Sequence, residues 1–223
     1  MPSAEPIAYP SPNFGPRRNG LRPDLVVIHF TEMRSAQAAL DRLCDPSAEV
    51  SAHYLIGRNG QLWQLVDEPL RAWHAGAGAW QGREDVNSRS IGIELDNDGQ
   101  TPFSAPLMAR LEALLPGILA RWSIPPSGVI AHSDMAPARK IDPGPRFDWQ
   151  RLARQRLALW PDTAGDPDVA LKTSLDAIGY PDVAPDLRLA AFRLRFRANH
   201  QGPEDTTDRS RASAVADALM LEK

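Results

Sequence analysis

The sequence has a single cysteine, Cys44, among its 223 residues. One thiol excludes an intrachain disulfide framework, although the redox compartment stays open. The sequence also lacks any window that is long and apolar enough to predict a membrane span. Residues 1–10 contain neither the basic nor the apolar part of a secretory signal. As written, the sequence predicts a cytoplasmic protein, and a periplasmic one if a leader is missing.

Neither sign of charge dominates. The 25 lysines and arginines nearly balance the 28 aspartates and glutamates, which leaves a formal net charge of -3. This balance gives no electrostatic reason to expect nucleic acid or an acidic membrane as a partner, although arginines at 193, 195 and 197 form a local basic tract. An apolar fraction of 43% is typical of a globular protein with a sizeable core.

Hydrophobic patterning predicts an α/β fold with a mixed central β-sheet flanked by helices. Residues 24–30 form a short β-branched run that is typical of a buried strand. Asn59 and Gly60 separate two further β-rich runs, which is a strong hairpin signal. The predicted strands are 24–30, 50–57, 61–66, 90–95 and 128–132, and the predicted helices between and after them are 34–44, 104–121 and 148–159.

Composition divides the chain into four parts. The proline-rich residues 1–23 predict an irregular lead-in, and residues 24–160 contain the α/β domain. Residues 161–167 are typical of a linker. Residues 168–223 contain three helical stretches and predict a small C-terminal α-helical domain.

A histidine, a lysine and an aspartate lie within one short segment, as His132, Lys140 and Asp142. An imidazole and a carboxylate, with one further ligand, make the open three-ligand zinc site that activates water. His29 and His132 both lie at the ends of predicted strands, where open sheets usually present ligands. The proline after Asp142 favours an extended backbone, in which Lys140 and Asp142 point the same way.

The predicted strand 90–95 carries its apolar side chains on one face and Glu94 on the other. Beside a zinc ion, a free carboxylate can accept the proton of a water molecule and deliver it to a leaving amine. A lysine that is not a ligand, such as Lys140, can stabilise the oxyanion of the tetrahedral intermediate. No P-loop, dinucleotide-binding loop or serine nucleophile elbow competes with this interpretation.

Several blocks, in collinear order over roughly residues 20–160, resemble the zinc-dependent N-acetylmuramoyl-L-alanine amidases of the type 2 family. Phage amidase-lysozymes and peptidoglycan recognition proteins are more distant relatives of the same fold. The blocks are Val27-Ile-His-Phe-Thr31, Ser51-Ala-His-Tyr-Leu-Ile56, Ala72-Trp-His-Ala-Gly76, Ser90-Ile-Gly-Ile-Glu-Leu95, Ala131-His-Ser-Asp-Met-Ala-Pro-Ala-Arg-Lys-Ile-Asp-Pro-Gly-Pro145 and Phe147-Asp-Trp149.

The resemblance implies that residues 24–160 are a zinc amidase domain that cleaves the amide between N-acetylmuramic acid and L-alanine in peptidoglycan or muropeptides. It implies that zinc is the cofactor, bound by His29, His132 and Asp142. It also implies that Glu94 is the general base and acid, and that Lys140 stabilises the transition state.

Four further residues receive roles from the same resemblance. His53 lies where the family has a histidine that is not a ligand, and we assign it to structural support of the site. His74, Trp73 and Trp80 are expected to lie near the substrate. The tryptophans either stack on sugar or peptide or serve only in packing, as aromatic residues in loops often do.

Other positions depart from the family pattern. Ala52 replaces a tyrosine that phage enzymes and recognition proteins often carry, so proton transfer should rest on Glu94. Glu49 and Asp85 stand where cytosolic recycling amidases place arginines. The preference between 1,6-anhydro-muropeptides and intact peptidoglycan therefore stays open.

Alternatives remain at this point. A non-catalytic peptidoglycan-binding protein could keep the same fold, and a glycosidase could use Glu94 and Asp96 without a metal. The C-terminal helices resemble a peptidoglycan-binding-like domain found after some amidases of this family. Phe192 and Phe196, spaced i and i+4, are equally explained as a core pair. The oligomeric state is open.

Overall fold

A computed structural model describes residues 5–222 of the chain. Its helices and strands follow one another as a mixed α/β pattern. The elements are β1 (Ile7–Ala8), β2 (Phe14–Pro16), β3 (Leu25–Phe30), α1 (Ala36–Cys44), β4 (Tyr54–Ile56), β5 (Leu62–Gln64), β6 (Leu70–Ala72), α2 (Val86–Arg89), β7 (Ser90–Leu95), α3 (Ala105–Trp122), β8 (Val129–Ala131), α4 (His132–Met135), α5 (Trp149–Ala153), α6 (Leu171–Ile178), α7 (Pro185–Phe196) and α8 (Thr206–Leu221).

Six strands form the central sheet, in the order β1-β5-β4-β7-β3-β8. Only β4 and β5 run antiparallel to each other, and every other neighbouring pair of this sheet is parallel. The antiparallel pair is the predicted hairpin, in which Gly60 takes a positive φ of 81° that favours glycine. The predicted fold class, a mixed sheet flanked by helices, is confirmed.

The two faces of the sheet are built by the alternation of side chains along β3. Val26 and Ile28 contact the layer that contains α3, whereas Leu25 and Val27 contact the C-terminal helices. Burying each such side chain stabilises the fold by roughly 1.5–3 kcal/mol. His29 has the same parity as Val27, and therefore projects from the face that the C-terminal helices partly cover.

The first face is covered by α3 and the short helix α5. Ser104 caps α3 by accepting a hydrogen bond from the Leu107 amide. Asp148 caps α5 through the Arg151 amide, as predicted, but α5 ends at Ala153 rather than near residue 159. The chain turns away there because Arg156 adopts a positive φ of 58°, which a right-handed helix excludes.

The second face is covered by α6, α7 and α8, which share one hydrophobic cluster with β3 and β8. Phe192 and Phe196 stack in that cluster with their ring centroids 5.1 Å apart. Residues 161–167, the predicted linker, have no helix or strand. The helices that follow them are nevertheless a layer of the same core, because their apolar faces are buried against the sheet.

The predicted irregular lead-in carries two short strands. β1 adds to the edge of the sheet beside β5, and β2 pairs with β6 in a separate two-stranded sheet. Strands of two and three residues are too short for hydrophobic periodicity to reveal. Residues 1–4 of the predicted lead-in lie outside the described residues. Within residues 5–222, no helix combines the length and the apolar character that crossing a membrane requires.

Candidate active site

Three buried side chains that could bind a metal meet at the carboxyl end of the sheet. His29 comes from the end of β3, and His132 follows the neighbouring parallel strand β8. Their Nδ1 atoms are 2.9 Å apart, and each lies 3.0 Å from Oδ2 of Asp142. The structure therefore brings together the three residues that the sequence proposed as ligands.

Hydrogen bonds fix which ring nitrogen of each histidine carries the proton. His132 Nε2 lies 2.9 Å from the Ala75 carbonyl, which can only accept, so Nε2 is the donor and Nδ1 is left with a lone pair. On the other side, Ser90 Oγ donates to the Val86 carbonyl and accepts from His74 Nε2.

The same chain of donors determines the state of His29. Since His74 donates through Nε2, its Nδ1 carries a lone pair and accepts from His29 Nε2 at 2.9 Å. His29 Nδ1 is therefore unprotonated and faces the unprotonated Nδ1 of His132. Two lone pairs 2.9 Å apart beside a carboxylate repel each other unless a cation lies between them.

Burial favours the neutral forms of His29 and His74. Burial, followed by the neighbouring His132, lowers the pKa of His29 to about 4. Burial and then the nearby His29 hold the pKa of His74 well below its usual value. Neutral imidazoles and an ionised carboxylate are the forms that bind metals.

The donor set fits zinc. Donor atoms about 2.1 Å from a tetrahedral zinc lie about 3.4 Å from one another, close to the separations in this cluster. Two imidazoles and one carboxylate leave one coordination position open, as in catalytic rather than structural zinc sites. Each histidine also donates a hydrogen bond through its Nε2 atom, His29 to His74 and His132 to the Ala75 carbonyl. Such bonds orient metal-binding imidazoles.

Glu94 lies directly across from His29 in the register of β7 and β3. Its Oε2 atom is buried, and no residue between 5 and 222 provides it with a hydrogen-bond partner. Burial, and then the charge of Asp142, raise the pKa of Glu94 well above its usual value, while Lys140 opposes them. A carboxylate with one buried, unpartnered oxygen beside the candidate ligand His29 is suited to accepting and returning a proton.

A cavity of about 310 Å³ opens over the cluster, and Glu94 and Lys140 both line it. Arg139 also lines it and was missed by the sequence interpretation. Its Nε donates to the Ala77 carbonyl at 2.9 Å, and its Nη2 donates to the Ala75 carbonyl. Arg139 thereby ties the loop of Asp142 to the loop of His74, a contact between distant segments that no local pattern reveals.

His53 is fully buried behind the site. Its Nδ1 accepts from the Gly92 amide at 2.9 Å, and its Nε2 lies 3.2 Å from the Leu70 carbonyl. Burial, and then the charge of Arg17, lower the pKa of His53 to about 3. Arg17 Nη2 lies 3.2 Å from His53 Nε2, and the His53 ring packs edge-on against His74 with centroids 5.8 Å apart. His53 thus connects the backbone of β7 and β6 to a side chain of the site, and its role in structural support stays a prediction.

The two tryptophans proposed to bind substrate lie in different surroundings. Trp73 is partly buried and lines the cavity together with His74. Trp80 is only 3% exposed, and its ring packs edge-on against Tyr180 with centroids 5.2 Å apart. Trp80 therefore belongs to the packing between the sheet and the C-terminal helices, whose hydrophobic cluster includes it, and we remove it from the proposed substrate site.

The positions that depart from the family pattern are accounted for locally. Ala52 is fully buried, Glu49 is exposed, and Asp85 forms an ion pair with Arg71 at 2.8 Å. Asp96, the second carboxylate of the glycosidase alternative, pairs with Arg58 at 3.4 Å. The geometry thus gives Asp96 a partner outside the cluster.

Comparison with known proteins gives a consistent assignment. The family described as N-acetylmuramoyl-L-alanine amidase matches residues 19–145. N-acetylmuramoyl-L-alanine amidase AmiD of Escherichia coli is 38% identical over 233 residues, which cover 88% of this chain and 82% of AmiD. The 1,6-anhydro-N-acetylmuramyl-L-alanine amidase AmpD of Enterobacter cloacae is 36% identical over 160 residues, covering 64% of this chain and 86% of AmpD.

Solved structures agree over nearly the whole chain. E. coli AmiD, in complex with the substrate anhydro-N-acetylmuramic acid-L-Ala-D-gamma-Glu-L-Lys, has a TM-score of 0.78 at 35% identity and covers 90% of this chain and 91% of its own. AMPDH3 from Pseudomonas aeruginosa has a TM-score of 0.82 at 28% identity, covering 91% and 94%. The family match, the extent of these alignments and the shared fold show that the chain belongs to the N-acetylmuramoyl-L-alanine amidase family.

Proposed function

We propose that this protein is a zinc-dependent amidase that cleaves the bond between N-acetylmuramic acid and L-alanine in soluble muropeptides. The observation that carries the proposal is the cluster of His29, His132 and Asp142 beside Glu94, whose carboxylate is left without a partner among residues 5–222. The cluster supplies three zinc ligands and an open position, and Glu94 supplies a separate base.

Bound zinc would supply a Lewis acid that polarises the lactyl carbonyl and lowers the pKa of a water molecule. Glu94 accepts the proton of the attacking water and returns it to the leaving amine of L-alanine. Lys140, whose flexible side chain lines the same cavity, donates hydrogen bonds to the oxyanion that forms on the carbonyl oxygen. These roles need no covalent intermediate.

Cationic side chains line the cavity beside the candidate metal ligands. They are Arg42, Arg139 and Lys140, and the acidic side chains of the lining are Glu32, Glu94 and Asp142. A muropeptide stem carries free carboxylates, and the substrates in the relatives' structures are anhydro-muropeptides of this kind. The non-catalytic alternative is weaker because all three candidate ligands and Glu94 are present and converge.

Product analysis tests this function. We expect the zinc-loaded protein to convert anhydro-N-acetylmuramic acid-L-Ala-D-gamma-Glu-L-Lys into anhydro-N-acetylmuramic acid and the free tripeptide, as measured by mass spectrometry. We expect chelation to abolish the reaction and added zinc to restore it. Binding without products would support the non-catalytic alternative, and turnover that survives metal removal would overturn the role of zinc. The same assay on a muropeptide without the anhydro bond measures the substrate preference.

His74 offers a second, milder test of the site. Replacing His74 with leucine removes the acceptor for His29 Nε2, and we expect zinc affinity to fall by about 10- to 100-fold. Replacing His74 with asparagine keeps an oxygen acceptor near the Nδ1 position, and we expect a smaller loss. Competition with a chelator measures both. Equal losses in the two variants would show that ring packing, rather than the hydrogen bond, is what His29 needs.

A further inference from the structure

Asp134 is a fully buried carboxylate two residues after the proposed ligand His132. Its Oδ2 accepts from the Ala131 amide at 2.9 Å and from Arg195 Nη1 at 2.9 Å. Its Oδ1 accepts from the Tyr180 hydroxyl at 2.6 Å. The first bond lies within the segment that carries His132, whereas the other two come from the C-terminal helical layer.

Both C-terminal partners of Asp134 are themselves held by packing. The guanidinium carbon of Arg195 lies 4.2 Å from the centre of the Trp149 ring and 4.8 Å from that of Phe196. A planar cation fixed between aromatic rings loses little further freedom when it binds a carboxylate. The ring of Tyr180 packs against Trp80, and the residue is 4% exposed. The donors therefore reach Asp134 from a rigid layer.

The segment that receives these bonds is short. α4 contains only His132–Met135, one turn that directly follows β8. One helical turn has few hydrogen bonds of its own to set its direction. Met135 and the bonds to Asp134 anchor it to the C-terminal core, so movement of Asp134 would turn the backbone that orients the His132 ring.

From these contacts we infer that the C-terminal helices act as a positioning element for the metal site, holding His132 in place through Asp134, Tyr180 and Arg195. The inference rests on the proposed zinc site. Arg195, which belongs to the basic tract of residues 193–197, then supports the metal site, and this role does not depend on binding to the cell wall. A site displaced by a fraction of an ångström binds its metal less well because ligand geometry must be preorganised.

The chain offers a matched control on the same helix. Arg193 is also buried, and it pairs with the buried Asp208 through its Nε at 3.0 Å. That ion pair joins α7 to α8. Among residues 5–222, neither Arg193 nor Asp208 forms a hydrogen bond or ion pair with α4. Arg193→Met and Arg195→Met each remove one buried cation from a buried aspartate. Asp208 keeps a second ion pair with Arg197 at 3.0 Å, and only Arg195→Met releases the segment of His132.

The experiment measures zinc affinity by chelator competition, thermal unfolding, and the visible absorption of the cobalt-loaded full chain. We expect Arg195→Met and Tyr180→Phe to lower zinc affinity by about tenfold and to change the cobalt spectrum. We expect Arg193→Met to lower the melting temperature without either effect, and Arg195→Lys to recover part of the affinity. If Arg195→Met fails to fold, Tyr180→Phe decides, because it removes one hydroxyl and keeps the ring packing.

Two results would overturn the inference. One is a zinc affinity and a cobalt spectrum that stay unchanged in Arg195→Met and in Tyr180→Phe, or in Tyr180→Phe alone if Arg195→Met does not fold. The other is an equal loss of affinity in Arg193→Met, which would mean that general destabilisation is the cause. A wild-type chain that binds no zinc would instead refute the proposed function, so the two failures are distinguishable.

Discussion

Replacing Glu94 with glutamine is expected to lower kcat by about three orders of magnitude while zinc stays bound. The amide has the shape of the carboxylate but cannot accept a proton from water. Because the described residues 5–222 give Oε2 no hydrogen-bond partner, the substitution breaks no contact that holds the fold. Turnover of the anhydro-muropeptide and the zinc content of the purified variant measure the two outcomes separately.

Stability provides an internal check on the same variant. Burial raises the pKa of Glu94, so its stabilising contribution is present at low pH and is lost as the pH rises through the folded-state pKa. At pH 8 the metal-free Glu94→Gln protein should therefore melt at a higher temperature than the metal-free parent. Glu112→Gln, which alters a carboxylate on α3 that pairs with Arg151 of α5, is the control and should keep its activity. Loss of zinc from Glu94→Gln would mean that Glu94 is a ligand.

Replacing Asp142 with asparagine is expected to remove zinc and, with it, activity. Zinc affinities near 12 kcal/mol, shared among three ligands, assign about 4 kcal/mol to each, which is on the order of a thousandfold in affinity. The amide group of asparagine can also donate to the facing Nδ1 lone pairs of His29 and His132, which lie 3.0 Å from the present carboxylate oxygen. The substitution therefore also stabilises the metal-free form of the cluster, which lowers zinc affinity further.

Zinc content after dialysis against a weak chelator measures this effect. Asp148→Asn is the matched control, because asparagine is as good a helix cap as aspartate and residue 148 lies outside the cluster. We expect the control to retain zinc and full turnover. Retention of zinc at parental affinity in Asp142→Asn would contradict the proposed ligand set.

Local patterns predicted the parts of the site that are carried by strands. His29 and His132 were placed at strand ends, and parallel neighbours bring such ends to one edge of a sheet. Glu94 was assigned to the face opposite its apolar neighbours, and the structure places it across from His29. The prediction for Glu94 depends on the alternation of side chains between the two faces of a strand, which a few residues of sequence are enough to show.

Contacts between distant segments were not visible in the same way. Arg139 reaches the loop of His74, and Asp134 binds a tyrosine and an arginine that lie 46 and 61 residues further along the chain. Trp80 was assigned to the substrate together with Trp73, yet it is buried and its ring packs against Tyr180. A loop sequence does not state whether its aromatic side chains turn toward solvent or toward the core.

The sequence by itself determined the longer strands and helices and the hairpin at Gly60, because periodicity and turn chemistry are local properties. The resemblance to the amidase family completed the candidate ligand set of His29, His132 and Asp142. Only the tertiary structure decided that the last three helices complete the core of the sheet, that the lead-in adds strands, and that Asp134 joins the C-terminal layer to the segment of His132. Those outcomes depend on which apolar faces meet and which buried charges find partners, and both are set by packing across the whole chain.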